Sequence, residues 1–287
     1  MGHLYTPLVL LWAMYGLIAA RSARMVVIDT DLFSDVDDVG SLAIANVLHG
    51  CNVVNVTGIA INTHSKYGAL AASVINTHFG NLDIPVAAIR PLSNHTFFDI
   101  YAFRSHGEYA AKLAHNWPRS INDSSMTPTP VSLYRRVLSS AEDNSVTIIS
   151  LGFLTNLATL MDSHADAISP LMGRFELGKD VISGAGLASL APSSSPIRAA
   201  YEWYVGRCST LRESWDPITT LYGILGLEPH PELGIGKTFE YANDFGYNWV
   251  SPDGSNAWVN DSRVTNQHWL KLTDLTTNTS LAIASPG

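Results

Sequence analysis

The stretch "VVIDTDLFSDVDDVGSLAIANVL", residues 26–48, places five aspartates in ten positions between two apolar runs. The first run is short and rich in β-branched residues, which is typical of a buried strand, and the second has helical spacing and closes at Gly50. A strand followed by an acidic loop and a helix predicts an α/β unit. The aspartates in the loop are Asp29, Asp31, Asp35, Asp37 and Asp38.

Strands and helices alternate along the chain that follows. The apolar run "CNVVNVTGIAI" at 51–61 predicts a strand buried on both faces, and the helical segment "KYGALAASVINTHF" comes after it. Strand "IPVAAI", a polar loop with a helix, helix "PVSLYRRVLSSA", strand "SVTIISL" and helix "FLTNLATLM" continue the alternation. The order predicts a Rossmann-like α/β fold, a mainly parallel open sheet with helices on both faces.

The first 23 residues have a different character. They hold an apolar run that is short for a membrane span and lies where a secretory signal would. We expect residues 1–23 to be a signal peptide and 24–287 to form one domain of a secreted protein, a buried first helix being the alternative. Five Asn-x-Ser/Thr sequons fit an extracellular glycoprotein: Asn55, Asn94, Asn122, Asn260 and Asn278.

Charge limits the partners that the chain can attract. The formal net charge is −8 and the sequence pI is about 5.6, so no positive field is available for phosphate backbones or anionic lipid. We therefore expect no binding to nucleic acid, and none to membranes once the signal peptide is removed.

Three polar segments are expected to meet at one edge of the sheet. Ligands of open parallel sheets bind beyond the carboxyl ends of the strands. In this sequence those ends lead to the aspartate loop, to Asn62, and to Leu151 with Gly152. The aspartate loop is the one whose composition requires an explanation.

Helix capping explains too little of the loop. One carboxylate at a helix start contributes roughly 0.5–2 kcal/mol. Two carboxylates about 4 Å apart repel by roughly 1 kcal/mol in water and about 4 kcal/mol at an effective dielectric constant near 20. A bound cation reverses the sign of that interaction. Because the loop has no Cys or His, its oxygen ligands favour Ca²⁺ or Mg²⁺ over zinc.

Two other acidic motifs fit less well. An EF-hand beginning at Asp29 needs Gly at its sixth position and Glu at its twelfth, where this chain has Ser34 and Gly40. A magnesium-dependent phosphohydrolase, with Asp29 as nucleophile and Asp31 as acid, needs a later Lys and a further acidic pair, and no convincing downstream acidic cluster is visible in the sequence.

Three segments carry a family resemblance. "VIDTD" with "DVDDVGSLAIA" resembles the N-terminal signature of the inosine-uridine preferring nucleoside hydrolases. "IISLGFLTNLA" at 148–158 and "RESWDPITTLYGI" at 212–224 resemble the second and third motifs of that family. The resemblance implies a Rossmann-like fold and calcium-dependent hydrolysis of the N-glycosidic bond of ribonucleosides. A ribonucleoside is then the expected partner, with a homo-oligomer of the chain left open.

The resemblance also implies roles for individual residues. Asp31, Asp38 and Asp216 would ligate Ca²⁺ through carboxylates and Leu151 through its backbone carbonyl, and Asp31 would also be the general base. Asp37 and Asn62 would hold ribose hydroxyls, and Asp29 would support the loop. The loop before Asp37 is longer than in the best-known members, so Asp35 is the alternative to Asp37.

Trp215 and Asp216 also have simpler explanations. Asp216 followed by Pro217 is a typical N-cap and first residue of a helix, and Trp215 has the character of a core residue. In the resemblance, Trp215 stands where one branch of the family has a leaving-group histidine. It is similar to branches in which an indole stacks on the base, which would favour purines.

One segment of the family pattern is missing. Arg174 runs directly into Phe175, where the family has a strand, a Gly-rich turn and a ribose-gripping segment with Glu and Asn. We therefore expect a shortened fold that lacks one strand segment. The alternative to an active enzyme is a secreted, calcium-binding protein of the same fold with impaired catalysis.

Overall fold

The structure is a computed structural model. It describes residues 23–33, 35–93, 108–163, 171–172, 181–206, 210–226, 229–230, 239–241 and 270–272. Residues 1–22 of the expected signal peptide and the junction of Arg174 with Phe175 lie outside these ranges. Within them, no helix has the length and apolar character that crossing a membrane requires.

A parallel sheet of five strands forms the centre of the fold. Its strands are β1 (Arg24–Thr30), β2 (Val54–Ile61), β3 (Val86–Ala88), β4 (Val146–Ser150) and β5 (Leu171–Met172). Their order is β3-β2-β1-β4-β5, so the apolar first strand lies in the middle. Asp29 is in register with Ala60 of β2 and Ser150 of β4, which places the acidic loop between the ends of its two neighbours.

Helices cover both faces of the sheet. They are α1 (Asp37–Gly50), α2 (Gly68–His78), α3 (Tyr109–Asn116), α4 (Pro130–Ser139), α5 (Thr155–Asp162), α6 (Leu187–Leu190), α7 (Pro196–Val205) and α8 (Trp215–Leu225), with a 3₁₀ turn at Ser124–Met126.

Alternate residues of β1 enter two separate hydrophobic cores. Val26 and Ile28 pack with side chains of α1, α2, α3 and α7, whereas Val27 packs with Leu133 of α4 and Leu157 of α5. This is the two-residue period of a strand that is covered on both sides. The predicted Rossmann-like α/β fold is therefore confirmed, with helices on both faces of a parallel sheet.

A short strand precedes the junction of Arg174 with Phe175, at which a strand segment is expected to be missing. Leu171–Met172 pairs in parallel with Ile149 and Ser150 of β4. The sheet therefore keeps a fifth strand, although it is only two residues long. Residues 173–180 are outside the described part of the chain, so the expected absence of a strand segment and of the Glu- and Asn-containing segment at Arg174 stays a prediction.

Two antiparallel strand pairs lie outside the central sheet. One joins β6 (Ile182–Ser183) to β7 (Arg212–Glu213), and the other joins β8 (Phe239–Tyr241) to β9 (Leu270–Leu272). The first pair leads directly into α8, and α8 packs against α1. This packing brings the third sequence motif to the start of α1 and to the aspartate loop.

Candidate metal centre

Asp29 is the fully buried anchor of the loop. Asn62 Nδ2 donates to its Oδ1 at 2.5 Å, and Asn156 Nδ2 donates to its Oδ2 at 2.9 Å. The Tyr134 hydroxyl donates to the same Oδ2. Burial raises the pKa of Asp29 to about 6, and the three hydrogen bonds oppose that shift. Asp29 therefore has the fixed, enclosed setting expected of a supporting residue.

The three predicted segments do meet at the carboxyl ends of the strands. The Asn62 amide nitrogen donates to the Thr30 carbonyl at 2.9 Å, and the Leu151 amide nitrogen donates to the Asp29 carbonyl at 2.7 Å. Gly152 lies against Asp31: a Cβ at this glycine would stand 2.6 Å from the Cβ and Cγ of Asp31. The β4 loop therefore fits closely around the Asp31 side chain.

The aspartates at the start of α1 do not act as helix caps. Val36 is the N-cap and makes no side-chain cap hydrogen bond, while Asp37 and Asp38 lie in the first helical turn. Both are buried, and the Thr30 hydroxyl donates to Asp38 Oδ1. Among the described residues, no donor reaches Asp38 Oδ2. A buried oxygen without a hydrogen-bond donor is what a metal ligand presents before the ion is added.

Asp216 approaches from α8, but not as a cap. The helix begins at Trp215 with Ser214 as N-cap, so the prediction that Asp216 is the N-cap and Pro217 the first helical residue was wrong. The start lies earlier because the Ile218 amide already bonds to the Ser214 carbonyl. Asp216 is 7% exposed and joins Asp31 and Asp38: one carboxylate oxygen of each lies within 4.8 Å of the others.

A second carboxylate group adjoins the first. Asp35, Asp37 and Asp216 also offer oxygens within 4.8 Å of one another. Arg212 pairs with two of them, at 3.3 Å from Nη2 to Asp35 Oδ2 and 3.7 Å from Nε to Asp37 Oδ1. The Asp216 amide nitrogen donates to Asp37 Oδ2 at 3.3 Å. Arg212 thus holds Asp35 and Asp37 side by side, and which of the two would bind ribose stays a prediction.

The electrostatics of both groups favour a bound cation. Burial raises the pKa of Asp38 and Asp216, and the charges of neighbouring aspartates raise them further. Burial also raises the pKa of Asp37, together with the charge of Asp35, while Arg212 acts in the opposite sense. A divalent cation among these oxygens would offset the repulsion between the carboxylates that raises their pKa values. The all-oxygen donor set therefore fits a hard metal ion.

Trp215 is half-buried at the edge of the centre. The Arg212 guanidinium carbon lies 4.8 Å from the centroid of its ring, in cation–π contact. Asn62 is buried, and in the described structure its Oδ1 receives no hydrogen bond. The structure thus brings the predicted site residues to one region, while their individual roles stay predictions.

Three contributors were not singled out from the sequence. Tyr134 and Asn156 hold Asp29 from α4 and α5, and Arg212 pairs with the second carboxylate group. Asn156 and Arg212 both lie inside the quoted motifs, so a polar residue within a motif was the available signal. Tyr134 lies on an ordinary amphipathic helix, and nothing in its local pattern marks it.

Comparison with solved structures shows the fold class of this protein. The effector protein XOO4466 superposes with a TM-score of 0.52 at 12% identity, covering 73% of this chain and 84% of that one, which identifies a shared α/β fold. The chain is also similar to a plant nucleoside hydrolase, with a TM-score of 0.49 and 18% identity over 70% of this chain and 78% of that one. It is similar as well to a purine-preferring ribonucleoside hydrolase from Gardnerella vaginalis, with a TM-score of 0.49 and 12% identity over 70% of this chain and 80% of that one. No curated protein matches the chain.

The fold and the carboxylate centre define an α/β protein with a cluster of acidic residues that could hold a metal ion at the carboxyl edge of its sheet. The sequence model of the family described as inosine-uridine preferring nucleoside hydrolase matches residues 26–174. That range is more than half of the chain and runs from within β1 to the end of β5. The protein belongs to this family, and the predicted family resemblance is confirmed.

We expect Tyr134→Phe to weaken the fold in a pH-dependent way. The folded-state pKa of Asp29 is raised to about 6, so burial of this group costs stability as pH rises and the carboxyl ionises. Above that pH the Tyr134 hydroxyl is a donor to a buried anion, and such hydrogen bonds contribute about 1.5–3 kcal/mol. The loss in unfolding free energy should therefore be larger at pH 8 than at pH 5 in urea titrations.

Tyr67→Phe is the matched control for this prediction. The Tyr67 hydroxyl lies 3.4 Å from His115 Nε2 at the surface, so its removal should change stability little at either pH. An equal loss for Tyr134→Phe at both pH values would mean that the hydroxyl does not stabilise the ionised form of Asp29.

Proposed function

We propose that this protein hydrolyses the N-glycosidic bond of ribonucleosides in a calcium-dependent reaction, releasing the free base and ribose. The observation that carries the proposal is the meeting of Asp31 and Asp38 of the aspartate loop with Asp216 of α8, with one carboxylate oxygen of each within 4.8 Å of the others. Membership of the nucleoside hydrolase family supports the reaction class. Ca²⁺ is proposed over Mg²⁺ because Ca²⁺ accepts several protein carboxylates in flexible geometry, whereas Mg²⁺ retains most of its water.

The proposed ion would be held by the carboxylates of Asp31, Asp38 and Asp216 and by the carbonyl of Leu151. Asp38 Oδ2 supports this assignment, because it is buried and receives no hydrogen bond from the described residues. When bound, calcium would orient a water molecule and lower the pKa of that water. Asp31 is the least buried of the three carboxylates, and it is assigned as the general base that accepts the proton of the water.

The sugar is assigned to Asp37 and Asn62. The Asn62 amide group is oriented by its bond to Asp29, which leaves its Oδ1 free to accept a hydrogen bond from a ribose hydroxyl. Asp37 offers the buried Oδ1 near Arg212. Hydrogen bonds to ribose that strengthen as the ring becomes oxocarbenium-like would lower the barrier. Trp215 is assigned to stack on the leaving base, with one ring face already in contact with Arg212.

The test is release of reducing sugar from inosine, adenosine and uridine, with calcium present and after chelation. We expect turnover only with calcium. We also expect chelation to lower the melting temperature, since an ion at about 100 times its Kd stabilises the folded state by about 2.7 kcal/mol. A melting curve unchanged by EDTA would reject the calcium site. Calcium binding without sugar release would favour the impaired binding protein instead.

We further propose that residues 1–23 are removed during secretion and that residues 24–287 act as one domain. The apolar N-terminal run and the sequons support this route. N-terminal sequencing of protein secreted by eukaryotic cells tests it: the mature chain should begin close to Arg24, and retention of Met1 in the secreted product would reject it.

A further inference from the structure

Arg212 is a cationic side chain that reaches into the carboxylate centre. It lies on β7, which is held beside β6, and its side chain is only 13% exposed. Its Nη2 is 3.3 Å from Asp35 Oδ2 and its Nε is 3.7 Å from Asp37 Oδ1. On its outer side, Nη1 lies 3.4 Å from Glu213 Oε2.

Two aromatic rings fix the plane of this guanidinium. Its carbon lies 4.8 Å from the centroid of the Trp215 ring and 5.1 Å from that of Tyr204. A guanidinium can stack on rings and pair with carboxylates at the same time, which an ammonium group cannot reproduce. The position of Arg212 is therefore determined by the surrounding protein as well as by charge attraction.

The two carboxylates paired with Arg212 belong to a group that has the composition of a second cation site. Asp35, Asp37 and Asp216 bring oxygens within 4.8 Å, as Asp31, Asp38 and Asp216 do. Asp37 is 1% exposed, and its Oδ1 receives no hydrogen bond from the described residues although it faces Arg212. The two groups share Asp216. They differ in that the group of Asp35 and Asp37 already has the positive charge of Arg212 beside it.

We propose that Arg212 is a built-in cation that neutralises Asp35 and Asp37 and thereby confines metal binding to one ion at Asp31, Asp38 and Asp216. Arg212 is a positioning residue in this assignment: it pairs with Asp35 and Asp37 and stacks on Trp215, which holds that ring in a fixed orientation. The inference rests on the proposed function only in its assumption that the first group binds an ion. It adds that the second group would bind one too if the guanidinium were absent.

The experiment counts calcium ions per chain by equilibrium dialysis at fixed free calcium. We expect one ion in the wild type and two in R212Q, because glutamine carries no charge and leaves Asp35 and Asp37 uncompensated. R212K, which retains a positive charge, should bind one. In the double variant R212Q/D35N the extra ion should be lost, since the neutral amide at position 35 removes the negative charge that R212Q leaves uncompensated.

R198Q is the matched control. Arg198 is also part-buried and also pairs with a carboxylate, Glu202, at 2.8 Å, but it lies on α7 in an i, i+4 pair away from the aspartates. The R198Q variant should bind one calcium ion, as the wild type does. A variant that folds only when calcium is present is still counted, because dialysis is carried out at set calcium concentrations and circular dichroism is recorded in the same buffer.

The outcomes separate this inference from the proposed function. A wild type that binds no calcium rejects the metal centre itself. One ion in both the wild type and R212Q overturns the assignment of Arg212 but leaves the metal centre intact. Two ions in the wild type have the same consequence. A second ion in R212Q that persists in R212Q/D35N would also overturn it, because that ion would be bound elsewhere. Nucleoside turnover enters none of these counts.

Discussion

Asp31→Asn is expected to lower kcat for nucleoside hydrolysis by about 10²–10⁴-fold, the range contributed by a general base. Asparagine keeps an oxygen that can contact the ion, but its amide cannot accept the proton of the attacking water. The loss should therefore appear in kcat more than in KM or in calcium affinity. Steady-state kinetics with inosine and calcium dialysis on the same preparation measure the two effects separately.

Asp83→Asn is the control for this substitution, because Asp83 is an exposed aspartate remote from the loop. It should retain the wild-type rate. Near-normal kcat in Asp31→Asn would show that another group is the base. A complete loss of calcium binding in this variant would instead assign Asp31 a role as ligand that an amide does not fill.

Gly152→Ala is expected to lower kcat/KM by about 10²-fold or more, which is the effect of misplacing a catalytic group by roughly 1 Å. The added methyl group would lie 2.6 Å from Asp31 Cβ and Cγ and 2.7 Å from its Oδ1. Real carbon atoms do not approach so closely, so Asp31 or the β4 loop has to move. Overpacking of this kind also costs about 1–3 kcal/mol of stability.

Gly50→Ala is the matched control for the glycine substitution. Gly50 ends α1, and a Cβ at this position meets no atom within 4 Å. The variant should keep wild-type activity and calcium affinity. Thermal melting distinguishes a local from a global effect in Gly152→Ala: an unfolded protein at the assay temperature would make its rate uninformative, whereas a folded protein with wild-type kcat/KM would contradict the close fit around Asp31.

Local patterns were sufficient to predict four of the five strands of the sheet, β1 to β4, and the helices α1 to α5 that alternate with them. The strand that precedes the aspartate loop, the helix that ends at Gly50 and the buried run at 51–61 were each predicted from the spacing of apolar residues or from a terminating residue, and these signals act within a few positions. The rule that ligands bind beyond the carboxyl ends of parallel strands then placed the aspartate loop beside Asn62 and Leu151. Repulsion among five neighbouring aspartates was enough to indicate a bound cation.

Long-range packing decided the rest. Asp216 and Arg212 reach the loop because α8 packs against α1 and β7 pairs with β6. Arg212 and Asp35, which form an ion pair, are more than 170 residues apart in the sequence. Tyr134 meets Asp29 across 105 positions. The start of α8 was misplaced because a Pro following an Asp resembles a cap, whereas the hydrogen bond from Ile218 to Ser214 sets the true boundary.

The sequence by itself determined the fold class, the family and the edge of the sheet at which the carboxylates meet, because each follows from local spacing and chain order. Only the tertiary structure decided how those carboxylates are divided. Asp31, Asp38 and Asp216 form one group, while Asp35 and Asp37 are paired with Arg212. The reason is physical: charges interact through space over distances of a few ångströms, and which charges lie that close depends on how distant segments pack.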